Sequence, residues 1–200
     1  MNISMIICII TLLIIRHTHH FWCIRHASRQ VKKEGIISVI IWFLSYILLS
    51  ACSLYSVFLT KATPYDIIGI IILLIAVIGR MISINQLGKA FSEFIYIGDR
   101  HHLVDTGIYS VVRHPLHYFL VLEMVSFAWI IGVLWAWIII AFVFIILIFR
   151  EIQEEEALLQ AFGEKYRVYK KKTVALTDLL PIQLNKKINN NTYMKKDEIV

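Results

Sequence analysis

The sequence predicts an all-α integral membrane bundle of about five transmembrane helices, the last two folded as a hairpin that runs on into a cytoplasmic amphipathic segment. Three observations lead there. Hydrophobic residues make up 58% of the 200-residue chain, and the mean hydropathy is +0.71. The apolar residues come in long runs that a soluble domain of this length could not bury. Basic residues are segregated to alternate connections between those runs.

The first run, Ile3 to Ile15, is short for a span and could pass for the apolar part of a signal peptide. No basic stretch precedes it and no small-residue cleavage site follows, so it reads as a retained helix continuing through His17 to Trp22 into the interface. Ile36 to Leu59 is 24 residues without a charge. Ile67 to Ile84 holds only Arg80, near its end, where a long side chain is expected to reach the headgroups. Leu116 to Phe149 would make one helix of about 51 Å against a hydrocarbon core of about 30 Å. A turn must therefore interrupt it. Ala128 to Val133 is the expected place, because Gly132 frees the backbone and Trp129, Trp135 and Trp137 suit an interface. Beyond Phe149 the residues Ile152, Leu158, Leu159, Phe162, Tyr166 and Tyr169 keep helical spacing, which predicts an amphipathic extension able to fold back over the connector Asn85 to His114. Lys170 to Lys172 are expected to close it as a membrane-surface anchor.

Nineteen of the twenty lysines and arginines fall after the first helix (Arg16, Arg25, Arg29, Lys32, Lys33), between Arg80 and Arg113, or from Arg150 onward; Lys61 lies opposite. The positive-inside rule then puts the amino terminus outside and the polar motifs in the cytoplasm of a multi-pass cell-membrane protein. The net charge of +6 reflects orientation and anionic headgroups. No basic stripe is interleaved with aromatics, so nucleic acid is not an expected partner. Cys8, Cys23 and Cys52 are odd in number and widely spaced, which predicts buried thiols and no disulfide framework. Residues 1–184 are expected to form one domain, with the motifs in 87–181. The polar tail 185–200 has too little apolar content to fold.

Polar groups concentrate at both ends of the hairpin. Arg113-His114-Pro115 opens it, with Pro115 suited to a first helical turn and the nearby N–H groups suited to an anion. Read blandly, Arg113 only touches lipid phosphate. Arg150 and Glu154 share a helix face, although as a structural pair they are worth only about 0.3–0.5 kcal/mol. Glu151, Glu154, Glu155 and Glu156 crowd four acids into six residues. Some are expected at a solvated surface, and one facing inward would suit a cation while Arg150 holds a carboxylate.

The stretch His102-Leu103-Val104, Gly107-x-Tyr109 and Arg113-His114-Pro115, followed by Arg150-x-x-x-Glu154-Glu155-x-x-Leu158-x-x-x-Phe162-Gly163-x-x-Tyr166, resembles the isoprenylcysteine carboxyl methyltransferase family, which includes bacterial alkylpyrone methyltransferase-like members. The resemblance implies an S-adenosyl-L-methionine-dependent O-methyltransferase acting on the carboxylate or acidic enol of a lipophilic small molecule or prenylated substrate that enters from the bilayer lipids. It further implies that His102, Leu103, Val104 and Tyr109 wrap the adenosine part and that His114, Pro115, Leu116 and His117 line the amino-acid part. Glu154 would meet the positive charge and Arg150 would orient the acceptor as the catalytic residue. No metal is implied. The chain departs from the family's Arg-His-Pro-x-Tyr pattern at position 117, which is His, with Tyr118 one residue later.

Other classes share parts of this pattern. A phospholipid N-methyltransferase would set an amine against Arg150. A membrane sterol reductase would bind NADPH instead. A di-iron oxygenase would draw on the eight histidines, four of them (His17, His19, His20, His26) expected on the first cytoplasmic loop, yet only His114-x-x-His117 has helical ligand spacing. A scaffold or transporter subunit would leave the charged clusters as topology signals. Glu123, alone inside the hairpin, is expected either to hydrogen-bond within the bundle or to line the substrate entrance.

Overall fold

Uninterrupted apolar, helix-compatible sequence folds as five long helices in the computed structural model, which describes residues 3–26, 36–59, 64–91 and 102–179. Helix α1 spans Ile3–His26, α2 Ile36–Leu59, α3 Pro64–Leu87, α4 Pro115–Ile131 and α5 Leu134–Phe162; a short α6, Glu164–Lys170, follows. Among the described residues there is no strand, only an isolated bridge between Val112 and Val174. The expected tail 185–200 lies outside the described residues.

The hairpin turns where backbone freedom permits it. Gly132 adopts φ +68°, ψ +19° and its N–H caps the Ala128 carbonyl, which ends α4 one residue earlier. Trp129, Trp135 and Trp137 stand exposed around that turn. Helix α4 is the central helix. Its Leu120, Met124, Phe127 and Ala128 are buried among Ile9 and Leu12 of α1, Tyr46 and Leu49 of α2, Leu73 and Val77 of α3, and Val143 and Leu147 of α5. α3 approaches α4 closely because Gly79 faces it: a Cβ there would overlap the Phe119 ring. The outer faces carry exposed Ile47, Leu48, Ile75, Ile138, Phe142 and Ile145, a surface suited to lipid rather than water. Helical segments 65–90 and 134–162 are long and apolar enough to cross a membrane, and 6–22, 43–56 and 115–131 are shorter apolar helices.

Several expectations about single residues change. Arg16 lies inside α1 and not in a loop: its Nε donates to Glu123 Oε2 at 2.9 Å, and both side chains are buried. Its guanidinium also sits 4.0 Å from the Tyr46 ring centroid. Glu123 is thus bonded within the bundle. His17, His19 and His20 are likewise helical, and His19 reaches Asn85 Oδ1 at 2.9 Å. Arg80 is 5% exposed, turned inward because α3 continues for seven residues past it. Cys8 is exposed on the bundle surface and Cys52 half-buried, both unpaired, because their helix positions face outward.

Of the connector, residues 85–87 belong to α3, and the described part from 102 to 114 docks on the end of that helix. The Ile108 N–H donates to Gln86 Oε1 (3.0 Å), and the Tyr109 hydroxyl lies 3.4 Å from the Ser83 carbonyl. The amphipathic extension breaks at Gly163 (φ +53°), and α6 folds back as expected. Tyr166 and Tyr169 pack on Leu103, and the Tyr169 hydroxyl donates to the Tyr109 carbonyl at 2.7 Å.

Candidate functional site

Two local rules place the site. Pro115 occupies the first turn of α4 with His114 as its N-cap, so His114 and His117 point from one helical turn. Helix α5 runs on past Phe149 and presents Arg150, Glu151, Glu154 and Glu155 from the facing helix, with Glu151 and Glu155 one turn apart as are Arg150 and Glu154. The two sets interlock. His114 Nδ1 lies 3.4 Å and His117 Nε2 3.8 Å from Glu154 Oε2. His114 Nε2 is 3.7 Å from Glu155 Oε1, and His117 Nδ1 is 3.6 Å from Glu151 Oε1. The imidazole rings stack with centroids 5.5 Å apart and planes 14° from parallel. Arg150 Nε holds the other oxygen of Glu154 at 3.0 Å.

The acids here are not a solvated surface. Glu151 is fully buried and Glu155 nearly so, while Glu154 keeps 22% of its side chain exposed. Each buried acid has its own anchor. The Thr177 N–H donates to Glu151 Oε2 at 2.7 Å, and Glu155 accepts from Arg113 Nε at 2.6 Å and Lys170 Nζ at 2.5 Å. Lys170 is therefore an internal partner, in contrast to the expected membrane anchor; Lys171 and Lys172 remain exposed. Arg113 also departs from both readings of it as an anion or lipid-phosphate ligand. It spends its donors on Glu155, on Asp178 Oδ2 (2.8 Å) and on the carbonyls of Lys170 (3.1 Å) and Thr173 (2.5 Å). It thereby clamps the segment 170–178 over the hairpin entrance, beside the paired backbone bonds of Arg113 and Val174.

Burial alone would discharge His114, but its contacts with Glu154 and Glu155 and the nearby charge of Glu151 outweigh that and push it up to about 10. The His114 ring is therefore a cation at neutral pH. Tyr109 is held un-ionised by burial and by the neighbouring Tyr169 and Glu154, which also places it within electrostatic reach of the cluster.

His114, His117, Arg150 and Glu154 thus meet as one group, with Pro115 buried at its base. Tyr109 is buried between α3 and α6, Leu103 is buried against α5 and α6, Val104 is half-buried and His102 exposed on the same connector. Leu116 packs against Ile84 and Phe91 on the other flank of α4. Glu151 and Glu155 were missed as inward groups, although their four-residue spacing put them on one helix face. Their anchors Lys170, Thr177 and Arg113 are not legible in sequence. Among the described residues, His114, His117 and Glu154 form the one group of three whose histidine and acid ligand atoms all lie within 4.8 Å of one another; His17, His19 and His20 do not join them.

The arrangement suits a zwitterion, with a carboxylate oxygen of Glu154 for a cationic end and protonated His114 at a helix start for an anionic one, and Arg150 beside them suits a second anion. Residues 68–161, from α3 to the end of α5, match the model of the isoprenylcysteine carboxyl methyltransferase (ICMT) family. No curated protein sequence matches this chain. Its fold is similar to the structure of the eukaryotic intramembrane Ras methyltransferase ICMT (isoprenylcysteine carboxyl methyltransferase), with TM-score 0.56 and 20% identity over 74% of this chain and 50% of that one. The chain therefore spans about half the length of that methyltransferase. Family model, fold and the meeting of the two motif clusters agree: over residues 68–161, just under half of the chain, the sequence matches the isoprenylcysteine carboxyl methyltransferase family.

Proposed function

We propose that the chain is an S-adenosyl-L-methionine-dependent O-methyltransferase that methylates the carboxylate or acidic enol of a lipophilic acceptor. The observation that carries this reading is the convergence of His114, Glu154 and Arg150 at the membrane edge of the hairpin. The residues fit the donor. Glu154, partly exposed and backed by Arg150, offers a carboxylate oxygen to a sulfonium or ammonium, and cationic His114 at the start of α4 suits the donor carboxylate. Leu103, Val104 and Tyr109 with His102 would enclose the adenosine, and Pro115 and His117 would flank the amino-acid end, while Leu116, turned to the other flank of α4, would not reach it.

Bound donor supplies an electrophilic methyl on a good leaving group, so the chain's task is positioning and exclusion of water. Arg150, fixed through Nε by Glu154, holds the acceptor oxyanion by charge-assisted hydrogen bonds and aims it. The clamp of Arg113 on 170–178 closes the water side. The apolar faces of the helices admit the acceptor's tail from lipid. On this reading the five long helices all span, the amino terminus is outside and the site faces the cytoplasm.

The test is incubation of the purified protein with radiolabelled donor and a panel of farnesylcysteine, alkylpyrone and phosphatidylethanolamine. Label in a carboxylate or enol acceptor is expected. Label confined to the amine, or binding of NADPH in place of the methyl donor, overturns the proposal.

A further inference from the structure

We propose that His114, His117 and Glu154 form a binding site for one divalent transition-metal ion of the zinc class. Their ligand atoms already cluster, with His114 Nδ1 3.4 Å and His117 Nε2 3.8 Å from the same Glu154 Oε2; the ion takes the place of the His114 Nδ1 proton, which is released to water. In a tetrahedral site with metal–ligand bonds of about 2.0–2.1 Å, neighbouring ligand atoms stand about 3.3 Å apart. The two histidine-to-Glu154 distances need no more than about half an ångström of closure, and the third pair, within 4.8 Å, closes by a small rotation of the two rings.

The far side of each ring carries the second argument. His114 Nε2 and His117 Nδ1 are buried with no hydrogen-bond partner, each facing a different carboxylate at 3.7 Å (Glu155) and 3.6 Å (Glu151). Both carboxylates are pinned from behind, Glu155 by Arg113 and Lys170 and Glu151 by the Thr177 N–H. Metal-bound imidazoles characteristically turn their other nitrogen to such a carboxylate, which fixes the ring and raises its basicity. Two imidazoles and a carboxylate suit zinc and its first-row neighbours and leave a fourth position open. The partial exposure of Glu154 gives an entry path. The site does not depend on the methyltransferase reading. Where that reading holds, ion and donor compete for Glu154.

Protein in detergent, carrying no polyhistidine tag and stripped with a chelator, is titrated with Co(II) and then Zn(II). One cobalt per chain with the ligand-field absorption of a four-coordinate site, displaced by one zinc, is expected. His117→Tyr and Glu154→Gln should each weaken binding at least tenfold, and Glu151→Gln by about 10–100-fold. Cobalt binding to the unmutated protein is a readout that needs no variant to fold. Absence of stoichiometric cobalt binding, or a folded His117→Tyr protein binding as tightly as the parent, overturns the site. Donor binding is measured on the same stripped preparation. Donor bound without metal binding sinks this inference alone, and metal bound without donor binding sinks the methyltransferase reading alone.

Discussion

At the residue scale, the charges of the site are coupled, and single substitutions will report on more than one group. Arg150→Ala should cut turnover by about a hundredfold or more through lost acceptor orientation while largely sparing donor affinity. Glu154→Gln should weaken donor binding by about 10–100-fold, the cost of removing a charge-assisted contact. Isothermal titration with the donor beside steady-state kinetics separates the two; equal losses of donor affinity in both variants would contradict the separate roles. Because Nε of Arg150 rests on Glu154, the double variant should fall short of the summed effects. His114 gives a pH signature. Its proton is held more tightly in the fold than in the open chain, so its stabilising contribution is complete below about 6.5 and is lost as pH rises through about 10. The melting temperature should decline over that window, and His114→Gln should flatten the decline.

At the element scale, two contacts set how the helices pack. Gly79 lets α3 lie against Phe119 of α4, so Gly79→Val should cost about 1–3 kcal/mol by overpacking, with Phe119→Leu restoring part of it in the double variant. Arg16 and Glu123 tie α1 to α4 across the apolar interior. Breaking that pair with Arg16→Met should cost about 3–5 kcal/mol because it strands a buried carboxylate, whereas Arg16→Met with Glu123→Leu should recover most of the loss. Thermal unfolding in one detergent measures both series. If Arg16→Met unfolds like the parent, Glu123 does not depend on Arg16.

At the scale of the whole molecule, the site exists because the segment after α5 returns to the hairpin entrance. Val112 bridges Val174, Arg113 spans Glu155 and Asp178, and Thr177 caps Glu151. Arg113→Ala should therefore release residues 170–178 to limited proteolysis and abolish donor binding while leaving the helical bundle folded by circular dichroism. Sidedness is testable on the same region. In a variant with Cys8, Cys23 and Cys52 replaced by serine, a lone cysteine from Lys165→Cys should react with an impermeant maleimide only after cells are opened. Labelling of intact cells would put the site outside.

The sequence by itself determined the helices and the turn: uncharged runs have few alternatives in lipid, where every backbone group must bond internally, and Gly132 is the residue that can bend the long run. It also determined that His114, Arg150 and Glu154 would meet, because the motifs lie at the two ends of one hairpin and hairpin ends are adjacent. Only the tertiary structure decided which charges are internal. Arg16, Arg80, Arg113 and Lys170 read as loop or membrane-surface charges in a linear chain. All but the half-buried Lys170 are in fact buried, and Arg16, Arg113 and Lys170 are taken up by Glu123, Glu155 and Asp178, partners 15 to 107 residues away. Pairing at such separations follows from how the helices pack, and a charge's nearest neighbours in sequence carry no record of it.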